Sequence, residues 1–150
     1  MIETFRPLLD AARGVDLADP TKARAELERR LDPRGPEARA LAEALLGLYR
    51  EGRIAERGAP PVRFGRVARS GPETSDFSID VVWMNGAGPR HRHPRGEVNF
   101  CIALEGDPRF DGQPAGWVVL PPESSHVPAV EGGTMLIVYL LPQGEIEFAR

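Results

Sequence analysis

Gly88-Pro-Arg-His-Arg-His-Pro-Arg-Gly-Glu97 decides how the rest of the chain is read. It holds His91, His93 and Glu97 in an H-x-H-x3-E spacing and contains two of the chain's three histidines. On a strand, residues i and i+2 face the same way, so the two imidazoles are expected side by side. Two imidazoles and a carboxylate are donors suited to a divalent transition metal. The third histidine, His126, follows Pro121-Pro-Glu-Ser-Ser125 in a turn-rich stretch. A site built from His91, His93, Glu97 and His126 uses every histidine in the chain. The competing reading is a solvated basic loop, because Arg90, Arg92 and Arg95 are interleaved with the histidines. That reading leaves the placement of His126 unexplained.

Outward from this stretch the sequence alternates like β structure. Asn85-Gly-Ala-Gly88 is a turn feeding the His91 strand. Before it, Phe77, Ile79, Val81 and Trp83 share one face of a strand, opposite Ser78, Asp80 and Val82. After it, Val98 to Leu104 puts Phe100, Ile102 and Leu104 on one face and Glu97, Asn99 and Cys101 on the other. Further strands are expected at Val62–Arg69, Trp117–Leu120 and Glu145–Phe148, and a doubly buried one at Thr134–Leu141. Short strands between Gly/Pro turns indicate an antiparallel sandwich or barrel.

Residues 2 to 52 read differently. Phe5, Leu8, Leu9 and Ala12 recur at helical spacing, and Asp19-Pro20 is a helix start. A third helix, Glu37 to Tyr49, carries Ala40, Leu41, Ala44, Leu45 and Leu48 as its apolar stripe. The expected architecture is mainly β, with a helical segment of about three helices (residues 1–58) packed on a β-barrel (residues 59–150).

Composition narrows the function classes. The 150 residues carry a net charge of −3, with scattered arginines, so a nucleic-acid partner is not expected. No apolar stretch approaches the ~20 residues of a membrane-spanning helix, and the start lacks the pattern of a signal peptide. Cys101 is the only cysteine, which excludes an intrachain disulfide. A cytoplasmic location is the default expectation. Lys22 is the only lysine among 19 basic residues, a bias of GC-rich bacterial coding.

The ligand stretch resembles the first motif of the cupin superfamily, through Gly86, His91, His93, Glu97 and Gly106. The Gly86–His91 gap is one residue short and the Glu97–Gly106 gap two residues long. Counted from Gly106, the acidic position falls on Asn99, which therefore rivals Glu97 or supports it. Gly116, Pro121 and His126 match the second motif, with Glu123 in place of its inner glycine and Val130 in place of its asparagine. A closer resemblance is to the 4-hydroxylaminobenzoate lyase family. It rests on His93-Pro-Arg-Gly-Glu-Val-Asn99, on Gly116-Trp-Val-Val-Leu-Pro-Pro-Glu-Ser-Ser-His126 and on Leu140-Leu-Pro-Gln-Gly-Glu-Ile-Glu-Phe148.

The resemblance implies a cupin barrel, a small aromatic acid as substrate and a redox-neutral reaction. In it, 4-hydroxylaminobenzoate plus water gives protocatechuate plus ammonia. The ligand set suits Fe(II), Mn(II), Ni(II), Co(II) or Zn(II) without choosing among them. A substrate carboxylate calls for an arginine, and Arg63, Arg66 and Arg95 are the candidates. Arg90 and Arg92 should point away from the metal by strand alternation. Glu123, beside His126, is a candidate general acid or base, or a turn residue. A homodimer is expected. The alternatives are a cupin dioxygenase acting on a catechol-like aromatic and a non-catalytic small-molecule-binding cupin.

Overall fold

A computed structural model describes residues 1–149. Three helices come first: α1 (Arg6–Ala12), α2 (Pro20–Arg30) and α3 (Pro36–Arg50). A 3-10 turn, Ile2–Phe5, precedes α1. The Asp19 carboxylate accepts the Lys22 N–H at 3.2 Å, satisfying an end group of α2 that has no partner in the helix, and Pro20 occupies the first turn. On α3 the buried stripe is Ala38, Leu41 and Leu45, with Leu48 half-buried. Ala40 and Ala44, expected on that stripe, face outward. The apolar face is rotated toward Ala38 because alanines bury too little area to orient a helix that leucines can anchor.

Nine strands follow: β1 (Arg57–Ala59), β2 (Val62–Ala68), β3 (Phe77–Met84), β4 (His91–His93), β5 (Glu97–Phe110), β6 (Gly116–Leu120), β7 (Ser124–His126), β8 (Val130–Pro142) and β9 (Glu147–Phe148). They form a six-stranded sheet ordered β1-β2-β3-β8-β5-β6 and a three-stranded sheet ordered β7-β4-β9, with antiparallel pairing throughout. This is a cupin-type jelly roll. The strands do not close into the single barrel expected from sequence. The small sheet has strands of only two or three residues, and its ladders run only among its own members.

Two differences in strand length have local causes. Pro60-Pro61 is the turn of a hairpin, since Ala59 pairs with Val62, so β1 starts at Arg57, ahead of the expected start of the β part at residue 59. Strand β5 runs past Leu104 to Phe110, because register shifts at Ala103/Glu105 and Gly106/Arg109 let it continue where the alternation of apolar residues fails.

The large sheet buries both faces. Its outer face, with Ile79, Val81, Phe100, Trp117, Val138 and Leu140, shares one core with Phe5, Leu9, Leu27 and Leu45 of the helical segment. Trp117 is fully buried, donates its indole N–H to the Leu31 carbonyl at 2.9 Å and stacks edge-on against Phe100. Its inner face carries a second cluster that includes Met84, Cys101, Phe110, Met135, Ile137 and Tyr139. The small sheet lies on this inner side, and a cavity separates the two.

Candidate metal centre and adjoining cavity

Strand β4 presents His91 and His93 on one face, both buried, while Arg92 points outward to Glu123 and Glu147. Antiparallel pairing sets His91 directly opposite His126 of β7. The chain then turns through Pro94-Arg95-Gly96 into the other sheet. Gly96 has φ +86°, and a Cβ there would meet the Leu120 carbonyl at 2.8 Å, so only glycine fits this turn without strain. The turn delivers Glu97, the first residue of β5, beneath the imidazoles.

One ligand atom from each of His91, His93, Glu97 and His126 lies within 4.8 Å of the other three. His126 Nε2 is 2.8 Å from His91 Nε2 and 2.9 Å from His93 Nε2. Glu97 Oε2 is 3.0 Å from His93 Nε2. Neighbouring ligands around a six-coordinate ion with ~2.1 Å bonds are about 3.0 Å apart. Both Glu97 oxygens are fully buried without a hydrogen-bonding partner, as are the outer nitrogens of His91 and His93. A buried carboxylate left unpaired costs several kcal/mol, and a divalent cation is the partner this donor set fits. Asn99 stands two residues further along the same face of β5, fully buried, with neither amide atom hydrogen-bonded among the described residues.

Burial lowers the pKa of His91 to about 4, against which Glu97 pulls upward and the two neighbouring imidazoles pull further down. The imidazole is therefore neutral at pH 7, with a lone pair to give. In metal-free protein the unfolded chain takes up this proton as pH falls through ~6.5, whereas the folded chain resists until about 4. The His91 contribution to stability is thus complete above ~6.5 and is lost as pH falls toward 4. Thermal melts of chelator-treated protein should decline across that window, and His91→Gln should remove part of the decline.

Asp111, in the Phe110-Asp-Gly-Gln turn after β5, escaped the reading of the sequence. Its Oδ2 accepts from His126 Nδ1, and its Oδ1 accepts the Ala129 N–H at 3.0 Å. A carboxylate on Nδ1 fixes the tautomer that turns the Nε2 lone pair toward the other donors. Asp111→Asn keeps the turn but can present an N–H to Nδ1, forcing the proton onto Nε2. Metal affinity, measured by competition with a chelator, should fall roughly 10–100-fold. The only sequence signal for this residue was an Asp-Gly turn.

The other candidates separate. Glu123 occupies φ +68°, the conformation of the glycine it replaces, and its exposed carboxylate pairs with Arg92 away from the histidines. The Glu123 N–H donates to the His93 carbonyl at 2.8 Å, which ties the turn to β4. Arg95 pairs with Glu145 at 2.9 Å on the surface. Arg63 lies on the opposite face of β2 from Phe64 and Arg66 and does not line the cavity. Arg66 does line it, gripped by Asp80 through two bonds of 3.0 and 3.1 Å that raise its already high pKa. The exposed Arg57 of β1, not singled out from sequence, lines it as well.

The cavity measures about 500 Å³, and His91 forms part of its wall. Phe64, Val82, Met84 and Leu141 make most of the rest apolar. Phe148 of β9 lines the cavity beside His91, its ring 5.7 Å from the imidazole. This volume suits a small aromatic ring.

A sequence model of the family described as PnbB: 4-hydroxylaminobenzoate lyase matches residues 12–148. This chain belongs to that family. Two of its relatives bear the name 4-hydroxylaminobenzoate lyase. The one from Nocardioides sp. (strain LMS-CY) is 33% identical over 101 residues, covering 62% of this chain and 60% of the relative. The one from Pseudomonas putida is 32% identical over 109 residues, covering 62% of each. The chain thus spans about three fifths of the length of these lyases. Among solved structures, an RmlC-like cupin protein from Ralstonia eutropha is similar with a TM-score of 0.44 and 17% identity, over 61% of this chain and 62% of that one. A cupin-like protein from Thermotoga maritima is similar with a TM-score of 0.43 and 15% identity, over 62% and 83%.

Proposed function

We propose that this member of the lyase family converts 4-hydroxylaminobenzoate and water into protocatechuate and ammonia. The reading rests on one observation: the family match spans a cavity that has His91, one of the four clustered donors, and Arg66 in its wall. The net change is redox-neutral, so no nicotinamide or flavin is required. His91, His93, Glu97 and His126 would hold a divalent ion, which would supply Lewis acidity at the His91 wall of the cavity.

The chain's own residues do the rest. The apolar walls take the aromatic ring and exclude bulk water. Arg66 meets the substrate carboxylate, with Asp80 fixing its guanidinium in place and Arg57 adding charge at the same wall. Asn99 offers a buried amide beside the donors, for a polar group of the substrate or for water.

The decisive assay is anaerobic turnover of 4-hydroxylaminobenzoate by metal-loaded protein. Ammonia and protocatechuate should appear in equal amounts. Formation of product only with oxygen would move the assignment to a dioxygenase, and no product with any of the five metals would leave a binding protein. Arg66→Gln should weaken use of the carboxylate-bearing substrate about tenfold to hundredfold, chiefly in KM, and affect N-phenylhydroxylamine far less. Equal losses on both compounds would take Arg66 out of the carboxylate site.

A further inference from the structure

On the inner face of the large sheet, one polar side chain from each of four strands falls in a single row. Strand register aligns Arg66 with Asp80, Asp80 with Tyr139, and Tyr139 with Asn99, across β2, β3, β8 and β5. Along β8 the row is flanked on the same face by Ile137 and Leu141. Arg66 and Asp80 satisfy each other. Tyr139 and Asn99 do not have that resolution. Tyr139 is 5% exposed and lines the cavity that His91 also lines. Its cross-strand neighbour Asn99 is fully buried with both amide atoms unpaired. Tyrosine hydroxyls in such surroundings ordinarily find a partner.

We propose that Tyr139 is the hydrogen-bond donor that the cavity offers to an oxygen substituent on its aromatic ligand. The inference rests on the aromatic-acid reading of the cavity and names which atom of that ligand is recognised. The position follows from the wall itself. A ring whose carboxylate lies at Arg66 crosses the row toward the histidines, and Tyr139 stands between Arg66 and Asn99 in that row. Burial, and the negative charges of Glu97, Asp111 and Asp80, hold the phenol well above its ordinary pKa. It therefore keeps its proton at neutral pH and donates it in a hydrogen bond. A ring bearing hydroxyl or hydroxylamino oxygen satisfies the phenol, whereas a methyl group of similar size leaves it unpaired in an apolar wall.

The test uses ligands that do not turn over. Calorimetric binding to metal-loaded wild-type protein compares 4-hydroxybenzoate with 4-methylbenzoate. The hydroxylated acid should bind about threefold to tenfold more tightly, the range for one neutral hydrogen bond. In Tyr139→Phe the ratio should fall about threefold to tenfold from its wild-type value, with metal content and melting temperature unchanged. A ratio that survives in Tyr139→Phe overturns the proposal. So does a wild-type protein that shows no preference, or that binds neither acid, and these outcomes require no variant. Ammonia release is scored separately. Its absence alongside a tyrosine-dependent preference removes the lyase reading and leaves Tyr139 assigned, while its presence without any preference does the reverse.

Discussion

Glu97→Gln is expected to strip the centre of its metal and, in metal-free protein, to raise the melting temperature. Both effects come from one carboxylate, whose two oxygens are fully buried without hydrogen-bond partners. Without an ion, that charge is buried with only the imidazoles of His93 and His126 close to it, at 3.0 and 3.9 Å, and the isosteric neutral amide lessens the cost by on the order of 1–2 kcal/mol. For a chain of this length the gain corresponds to a rise of a few degrees. With an ion present the order reverses. A metal at a thousandfold excess over its dissociation constant stabilises the wild type by about 4 kcal/mol. The variant, having lost an anionic ligand, should gain little of that. Melts with and without metal, together with elemental analysis, test both halves. If the variant keeps the full metal-induced shift, Glu97 is not a ligand and Asn99 becomes the leading candidate for the fourth position.

Trp117→Ala should be the most damaging single change outside the metal centre. Trp117 is fully buried between the large sheet and α2, and its indole N–H is bonded to Leu31 at the end of that helix. Removing a buried aromatic side chain of this size costs about 3–5 kcal/mol, and the Leu31 carbonyl loses its donor. The loss is a large fraction of the stability of a typical domain. Urea unfolding should show it directly. Trp117→Phe keeps a ring against Phe100, loses the hydrogen bond and should fall between the two. A loss below about 1 kcal/mol for the alanine variant would mean that the helices are held to the sheet elsewhere.

Alternation carried most of what was legible in the sequence. The period of two put His91 and His93 on one face and sent Arg92 outward, as the structure has them. It also assigned Phe100 to the face opposite Glu97, Asn99 and Cys101. What stayed hidden depends on register between distant strands. No local pattern says that Asp111 reaches His126 or that Arg66, Asp80, Tyr139 and Asn99 fall in one row. The three candidate arginines had equal claims until the pairing of β2 with β3 put Arg66 on the cavity wall and Arg63 behind it. The short strand containing His126 looked like a turn because three residues show no periodicity.

The turn at Gly96 has a mechanical consequence. It places Glu97 in the large sheet and leaves His91, His93 and His126 in the small one. An ion held by all four is then a rivet between two layers, one of which is built from strands of three, three and two residues. The same bonds that hold the ion would hold the layers in place, so a ligand that displaces a protein donor also loosens the wall of its own cavity.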